Sequence, residues 1–169
     1  AARVPLVVEL KGLRIAILNI LGDTELVQAC ARELAKKIKD VEYDLIVTAE
    51  AKSIPLAYAL SVETKKPYII LRKLYKPYMG DALKAETLSI TTGQPQLLIL
   101  DEKDIETMKG KKALIVDDVI STGSTLQGMH MILDKAGASV AGEAAILTEG
   151  DRPQWMHIHS LGHLPLFTD

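Results

Sequence analysis

The stretch Ala113–Leu126, ALIVDDVISTGSTL, decides how this chain is read. Four apolar residues, Ala113 to Val116, precede an Asp117-Asp118 pair, and after Val119-Ile120 a hydroxyl- and glycine-rich turn runs into a helical pattern. An apolar run of this length, bounded by turn residues, reads as a strand buried on both faces, as in a parallel sheet. Ser121-Thr122-Gly123-Ser124-Thr125 supplies small residues whose N–H groups and hydroxyls can close around a phosphate at a helix N-terminus. In open α/β sheets ligands gather outside the carboxyl ends of the strands, so function is expected at the end of this one.

The flanking sequence repeats the same alternation. Asp23 is placed to cap a helix in which Val27, Cys30, Ala31, Leu34 and Ile38 recur at helical spacing, with the basic turn Lys36-Lys37-Ile38-Lys39 at its end. Leu45-Ile46-Val47-Thr48 is a short buried strand. Ser53 opens the next helix, with Pro55 in the first turn, where its missing N–H does no harm. Tyr68–Leu71 follows as a strand. Residues 72–95, broken by Pro77, Gly80, Gly93 and Pro95, read as an extended loop or loose hairpin of the kind that often serves as a lid. Gln96–Leu100 is strand-like. Leu126, Met129, Leu133 and Ala136 mark a helix that Gly137 stops, and Val140–Leu147 is a last apolar run. Strands alternating with helices build an α/β fold, a central, mostly parallel sheet flanked by helices on both faces.

Size and composition limit the function classes. A chain of 169 residues is most simply one domain, residues 1–169, able to bury roughly 70% of its unfolded surface. Charged residues make up 25% of it and the formal net charge is -2, so neither nucleic acid nor an acidic membrane is expected as main partner. The single cysteine, Cys30, builds neither a disulfide framework nor a cysteine zinc site, which fits a reducing, cytoplasmic setting. The start shows no secretory pattern, and no run approaches the ~18 apolar residues of a membrane span. His157, His159 and His163 in the tail are too few to specify a zinc site, and Trp155 reads as a packing residue for the tail or a subunit contact.

Neither a Walker-type phosphate loop nor a three-glycine dinucleotide fingerprint is present. A receiver-type phosphorylation domain would also end a strand in acids, but the Ser121–Thr125 cradle argues against it. The motif from Ala113 to Leu126 instead resembles the phosphoribosyl pyrophosphate signature of type I phosphoribosyltransferases. The resemblance extends in order and spacing from about Asp23 to Thr148 and is nearest to adenine phosphoribosyltransferases and their less characterised relatives. It implies that family's fold, with a flexible loop at about residues 73–95 and a small hood from residues 1–22 and 150–169.

For the site, the resemblance implies a 5-phosphate bound by Ser121, Thr122, Gly123, Ser124 and Thr125. Asp117 and Asp118 accept hydrogen bonds from the ribose hydroxyls and help hold Mg2+, directly or through water. Glu50-Ala51-Lys52-Ser53, which looks like the Glu-Ala-Arg loop of the adenine enzymes, lies at the pyrophosphate, commonly with a non-proline cis peptide, here expected at Ala51-Lys52. Lysine in place of arginine keeps the charge and gives up the bidentate fork. Arg72, Lys73 and Lys76 resemble the family's cations that reach the pyrophosphate, in some members across a dimer interface, so a homodimer is expected.

Two departures stand out. The adenine enzymes end the flexible loop with Glu-Tyr-Gly-Thr, whereas this chain has Thr91-Thr92-Gly93-Gln94, leaving Glu86 as the available acid upstream. The usual amino-terminal element beside the base is replaced by hydrophobic Arg14-Ile15-Ala16-Ile17-Leu18. The expected activity is Mg-dependent transfer of phosphoribose from phosphoribosyl pyrophosphate to a purine-like nucleobase, adenine first. The alternative is a catalytically weak binding protein or regulator of the same fold; about 20 residues before Leu21 leave no room for a helix-turn-helix.

Overall fold

In the computed structural model, which describes residues 6–10, 13–88, 93–164 and 166–168, the chain runs as follows. Strands β1 (Leu6–Leu10) and β2 (Leu13–Ile17) lead to helix α1 (Thr24–Lys37), β3 (Leu45–Ala49), α2 (Ile54–Thr64) and β4 (Tyr68–Leu71). Next come β5 (Leu83–Leu88), β6 (Pro95–Leu100), α3 (Glu102–Met108), β7 (Lys112–Ile120) and α4 (Ser124–Lys135). The chain ends with β8 (Ser139–Glu149), β9 (His159–Leu164) and β10 (Phe167–Thr168); short 3-10 turns cover Pro77–Met79 and Arg152–Trp155.

Five strands form one sheet in the order β4-β3-β7-β8-β9, and every neighbouring pair is parallel. Because strand side chains alternate faces, β3 and β7 feed two cores at once. Val47 and Ile115 pack with Met129, Ile132 and Leu133 of α4. Ile46, Leu114 and Val116 pack on the other face with Leu34 of α1 and Leu56 and Leu60 of α2. All five residues of β3 are buried, which explains its unbroken apolar sequence. One irregularity interrupts the sheet. Ala113 pairs with Val140 but Leu114 with Gly142, so β8 carries one extra residue, a β-bulge.

The helix signals hold at atomic detail. Asp23 caps α1 by accepting from the Leu26 N–H (3.1 Å), and Val27, Cys30, Ala31 and Leu34 are the buried stripe. Pro55 sits in the first turn of α2, but the Ser53 hydroxyl makes no capping bond.

Residues 72–95, expected as a loop or loose hairpin, contain the ordered strand β5, which pairs antiparallel with β6 just beyond them. A mutual backbone pair between Arg72 and Ile99, 2.8 Å in each direction, joins this hairpin to the end of β4. Thr91-Thr92 lies outside the described residues. Helix α3 was not anticipated: it has seven residues and buries only Met108, too little for a periodic pattern. The tail, read as aperiodic, supplies β9, parallel to β8. Strands β1, β2 and β10 form a separate antiparallel sheet. No helix among the described residues is long and apolar enough to cross a membrane.

Candidate active site

The carboxyl end of β7 carries the acidic pair into different surroundings. Asp117 Oδ1 accepts hydrogen bonds from the Ser53 hydroxyl and from the Asp118 N–H, each 2.8 Å. Burial, aided by Asp118 beside it, pushes the Asp117 carboxyl up to about 7, against the pull of those two bonds. Asp118 instead lines an open cavity of about 460 Å³ together with Lys52, Ser121 and Thr122. Ala16, Ile17 and Leu18 from the β1–β2–β10 side form part of its apolar wall.

The expected phosphate loop is a tight turn at the helix start. Gly123, at φ +82°, is the residue before α4, a left-handed conformation that glycine adopts without steric cost. A Cβ there would lie 2.8 Å from the Trp155 ring. Thr122 Oγ1 lies 3.1 Å from Ser124 Oγ, and Ser121 to Thr125 surround a small concavity with Asp117 at its edge. The first N–H groups of a helix have no intrahelical partners, so this concavity presents donors and the positive end of the α4 dipole.

Trp155, expected to pack the tail or a subunit contact, is a packing residue, and what the sequence reading missed is that it packs on the Gly123 turn. It is buried, its indole N–H donates to the Glu149 carbonyl (3.0 Å), and its ring covers Gly123. A lone tryptophan near a glycine loop carries no spacing signal, so only the fold could show the contact.

The other end of the site is assembled from two loops. The Glu50 N–H still donates to the Leu71 carbonyl (3.0 Å), and the chain then leaves the sheet. The cis peptide expected at Ala51-Lys52 lies one bond earlier, at Glu50-Ala51, at that departure. Glu50, expected beside the pyrophosphate, has both carboxylate oxygens engaged: Oε2 accepts from Arg72 Nε (2.7 Å) and Oε1 from the Lys73 N–H (2.6 Å). Burial raises its carboxyl, but those bonds outweigh burial and hold it below the ordinary value. Glu50 therefore braces the cations. Ser53 is buried and reaches Asp117, while Ala51 and Lys52 are exposed. Among the expected cations, Lys52 lines the Asp118 cavity, Arg72 also meets Tyr78 Oη (3.2 Å), and Lys73 and Lys76 are exposed.

Glu86, expected to act catalytically, is not brought to this cluster. In β5 the alternating Ala85 and Thr87 are buried, with Thr87 Oγ1 3.4 Å from the Ser124 carbonyl, which leaves Glu86 on the exposed face. The tail histidines separate as well. His157 and His130 bond to opposite oxygens of buried Glu143, whereas His163 lies between Thr148 and Gly150. Among the described residues no group of three or more His, Cys, Asp or Glu is arranged to hold a metal. The acidic pair therefore fits Mg2+ only as an ion that takes most of its oxygens from ligand and water.

The family model described as "Phosphoribosyl transferase domain" matches residues 17–155. The chain is 37% identical over 123 residues to a hypoxanthine/guanine phosphoribosyltransferase of Methanothermococcus okinawensis, covering 71% of this chain and 63% of that one. It is 30% identical over 142 residues to the purine biosynthesis transcriptional repressor PurR of Bacillus subtilis, covering 84% and 49%. It spans between 56% and 64% of the length of three relatives named hypoxanthine/guanine phosphoribosyltransferase. The crystal structure of an adenine phosphoribosyltransferase from Thermoanaerobacter pseudethanolicus shares the fold, with a TM-score of 0.78 at 20% identity, covering 95% of this chain and 96% of that one. A strand carrying two acids near its end, a hydroxyl-rich turn beneath a tryptophan and a family match across most of the length lead to one conclusion: the chain belongs to the phosphoribosyl transferase domain family and has the type I phosphoribosyltransferase fold.

Proposed function

We propose that this chain transfers the 5-phosphoribosyl group of phosphoribosyl pyrophosphate to a ring nitrogen of a purine-like base, with adenine the first acceptor to test. The base nitrogen forms a bond to the anomeric carbon as the carbon–oxygen bond to pyrophosphate breaks. The electron pair of that bond leaves with pyrophosphate, and the proton of the attacking nitrogen is lost, giving a nucleoside monophosphate. The observation that carries the reading is the 2.8 Å bond between Ser53 and Asp117. It ties the loop expected at the pyrophosphate to the acids beside the phosphate cradle, so one ligand with two anionic ends fits the whole arrangement.

In this reading Ser121–Thr125 take the 5-phosphate, and Asp117 and Asp118 take the ribose hydroxyls. Lys52, Arg72, Lys73 and Lys76, with N–H groups of Ala51 to Ser53, face the pyrophosphate. Negative charge grows on the leaving oxygens while the sugar becomes cationic, and cations already fixed in place stabilise it without reorganising. Asp118, backed by Asp117, would hold Mg2+ directly or through water; when bound, the ion supplies charge neutralisation at the diphosphate. The chain's own contribution is position and charge.

Pyrophosphate release from phosphoribosyl pyrophosphate, Mg2+ and a panel of purine bases tests the proposal, and turnover of at least one base is expected. The similarity to PurR over 84% of this chain favours one second reading, a binding regulator of the same fold. Tight binding of phosphoribosyl pyrophosphate without turnover on the full panel selects it. A homodimer is part of the proposal: α2 exposes Tyr58 and Val62, each 58% accessible. Light scattering after size exclusion checks this, with a mass of twice 18.4 kDa expected.

A further inference from the structure

One charged side chain in the Asp118 cavity has no part in holding sugar, phosphate or pyrophosphate. Glu149 is the last residue of β8 and lines the cavity with the apolar Ala16, Ile17, Leu18 and Leu166. Its backbone is pinned from three directions. It pairs with Leu164 of β9, its carbonyl accepts from Trp155, and His163 bonds to both neighbours, Thr148 Oγ1 (2.9 Å) and the Gly150 carbonyl (3.1 Å). A carbonyl only accepts, so Nε2 of His163 carries the hydrogen, and in the neutral ring Nδ1 accepts from the Thr148 hydroxyl. The carboxyl itself accepts no hydrogen bond from any described residue. Partial burial pushes it above the ordinary carboxylate value, with His163 pulling the other way.

A carboxylate on a fixed backbone, set against an apolar wall with its acceptor capacity unfilled, discriminates among ligands. An amino group placed against it donates a hydrogen bond, whereas a keto oxygen in the same place sets lone pair against lone pair and leaves both groups unsatisfied. On the phosphoribosyl transfer reading, on which this inference rests, Ser121, Thr122 and Asp118 occupy the phosphate and sugar side of the cavity. Glu149 and the Ala16–Leu18 wall are left for the base. We propose that Glu149 is a specificity-determining residue that selects a purine bearing an exocyclic amino group over its oxo counterpart.

Adenine with hypoxanthine, and guanine with xanthine, are pairs that differ by amino for oxo at one carbon. In whichever pair the protein turns over, the amino member is expected to have the larger kcat/KM by about tenfold or more, since a site built for a hydrogen bond rejects a base that cannot make it. Glu149→Gln, whose amide both donates and accepts, should bring the ratio close to unity, and Glu149→Lys should invert it. A parent that prefers the oxo member, or a ratio that Glu149→Gln leaves unmoved, overturns the proposal. The ladder and Trp155 bonds use the Glu149 backbone, so Glu149→Gln should keep the parent urea midpoint, and Glu149→Ala is the second variant if it does not. Calorimetry with AMP, IMP, GMP and XMP reads the same ratios as dissociation constants, without turnover. Nucleotide discrimination that depends on Glu149 but no pyrophosphate release overturns the transfer reading alone. Binding of phosphoribosyl pyrophosphate with no difference among the four nucleotides overturns the assignment of Glu149 alone.

Discussion

On the proposed reading, the two phosphate-bearing ends of the site are built in opposite ways. The 5-phosphate cradle comes from five consecutive residues, Ser121 to Thr125, seated on the start of α4 beneath Trp155. The pyrophosphate end comes from two loops, with Glu50 reaching across 22 residues of sequence to Arg72. A contiguous cradle owes its shape to the backbone, so its weak point is a single torsion. A bipartite end owes its shape to side chains, so its weak point is the brace between the loops.

The largest effect is expected at the cradle. Gly123→Ala places a Cβ at a φ of +82° and 2.8 Å from the indole of Trp155, with αL strain alone costing roughly 1–2 kcal/mol. Affinity for ribose 5-phosphate and for phosphoribosyl pyrophosphate should fall together, by about 100-fold or more if the loop must open, which is the loss that roughly 3 kcal/mol produces. Calorimetry with both ligands checks it, and an unchanged affinity for ribose 5-phosphate would remove the cradle from the site.

Next is the junction between the ends. Asp117→Asn with Asp118→Asn should weaken phosphoribosyl pyrophosphate by at least about tenfold, a loss of ~1.4 kcal/mol, while circular dichroism stays that of the parent. Equal affinity for parent and variant would overturn the assignment of the acidic pair.

Glu50→Gln addresses the brace. With the carboxylate gone, Arg72 and the Lys73 N–H lose their shared charged acceptor, and phosphoribosyl pyrophosphate should bind about three- to tenfold more weakly, on the scale of a charge-assisted bond that is partly exposed. Ribose 5-phosphate, which has no pyrophosphate, should bind as before. Equal losses for the two ligands would mean that Glu50 supports the whole site.

The dependence on pH runs through one carboxyl. Asp117, lifted from an ordinary 3.8 to about 7, holds a proton in the folded chain that the unfolded chain has lost throughout that window. Stability of the unliganded protein should therefore decline as pH rises from about 4 to 7 and level off above. On the proposed reading Mg2+ with phosphoribosyl pyrophosphate binds the ionised form, and its affinity should strengthen up to about tenfold between pH 6 and 8, a span that carries Asp117 through its titration. Asp117→Asn should flatten both profiles in urea titration and calorimetry.

How far the sequence could be read follows the same division. The burial of β3, the cap at Asp23 and the proline start of α2 are local and appear as expected, and so does the β7 strand, except that it runs on past the acidic pair to Ile120. The Ser53–Asp117 bond spans 64 residues and the Glu50–Arg72 pair 22, so neither leaves a spacing that one sequence reveals. Glu86 was misplaced because strand parity sets its direction, and parity depends on where the hairpin pairs. Helix α3 escaped notice because one buried residue in seven makes no period.

The bulge opposite Ala113 and Leu114 behaves like a reading-frame insertion in β8. From Gly142 onward every partner of β7 is set by that one extra residue. Ala144 and Ile146 face the α1–α2 core and Ala145 the α4 core only in that frame. Deleting Ala141 would remove the bulge and leave the later partners in place, whereas deleting a residue beyond Gly142 would deliver each later side chain to its neighbour's address. The strand thus tolerates exchange of residues far better than a change in their number, and a library that varies β8 should hold its length fixed.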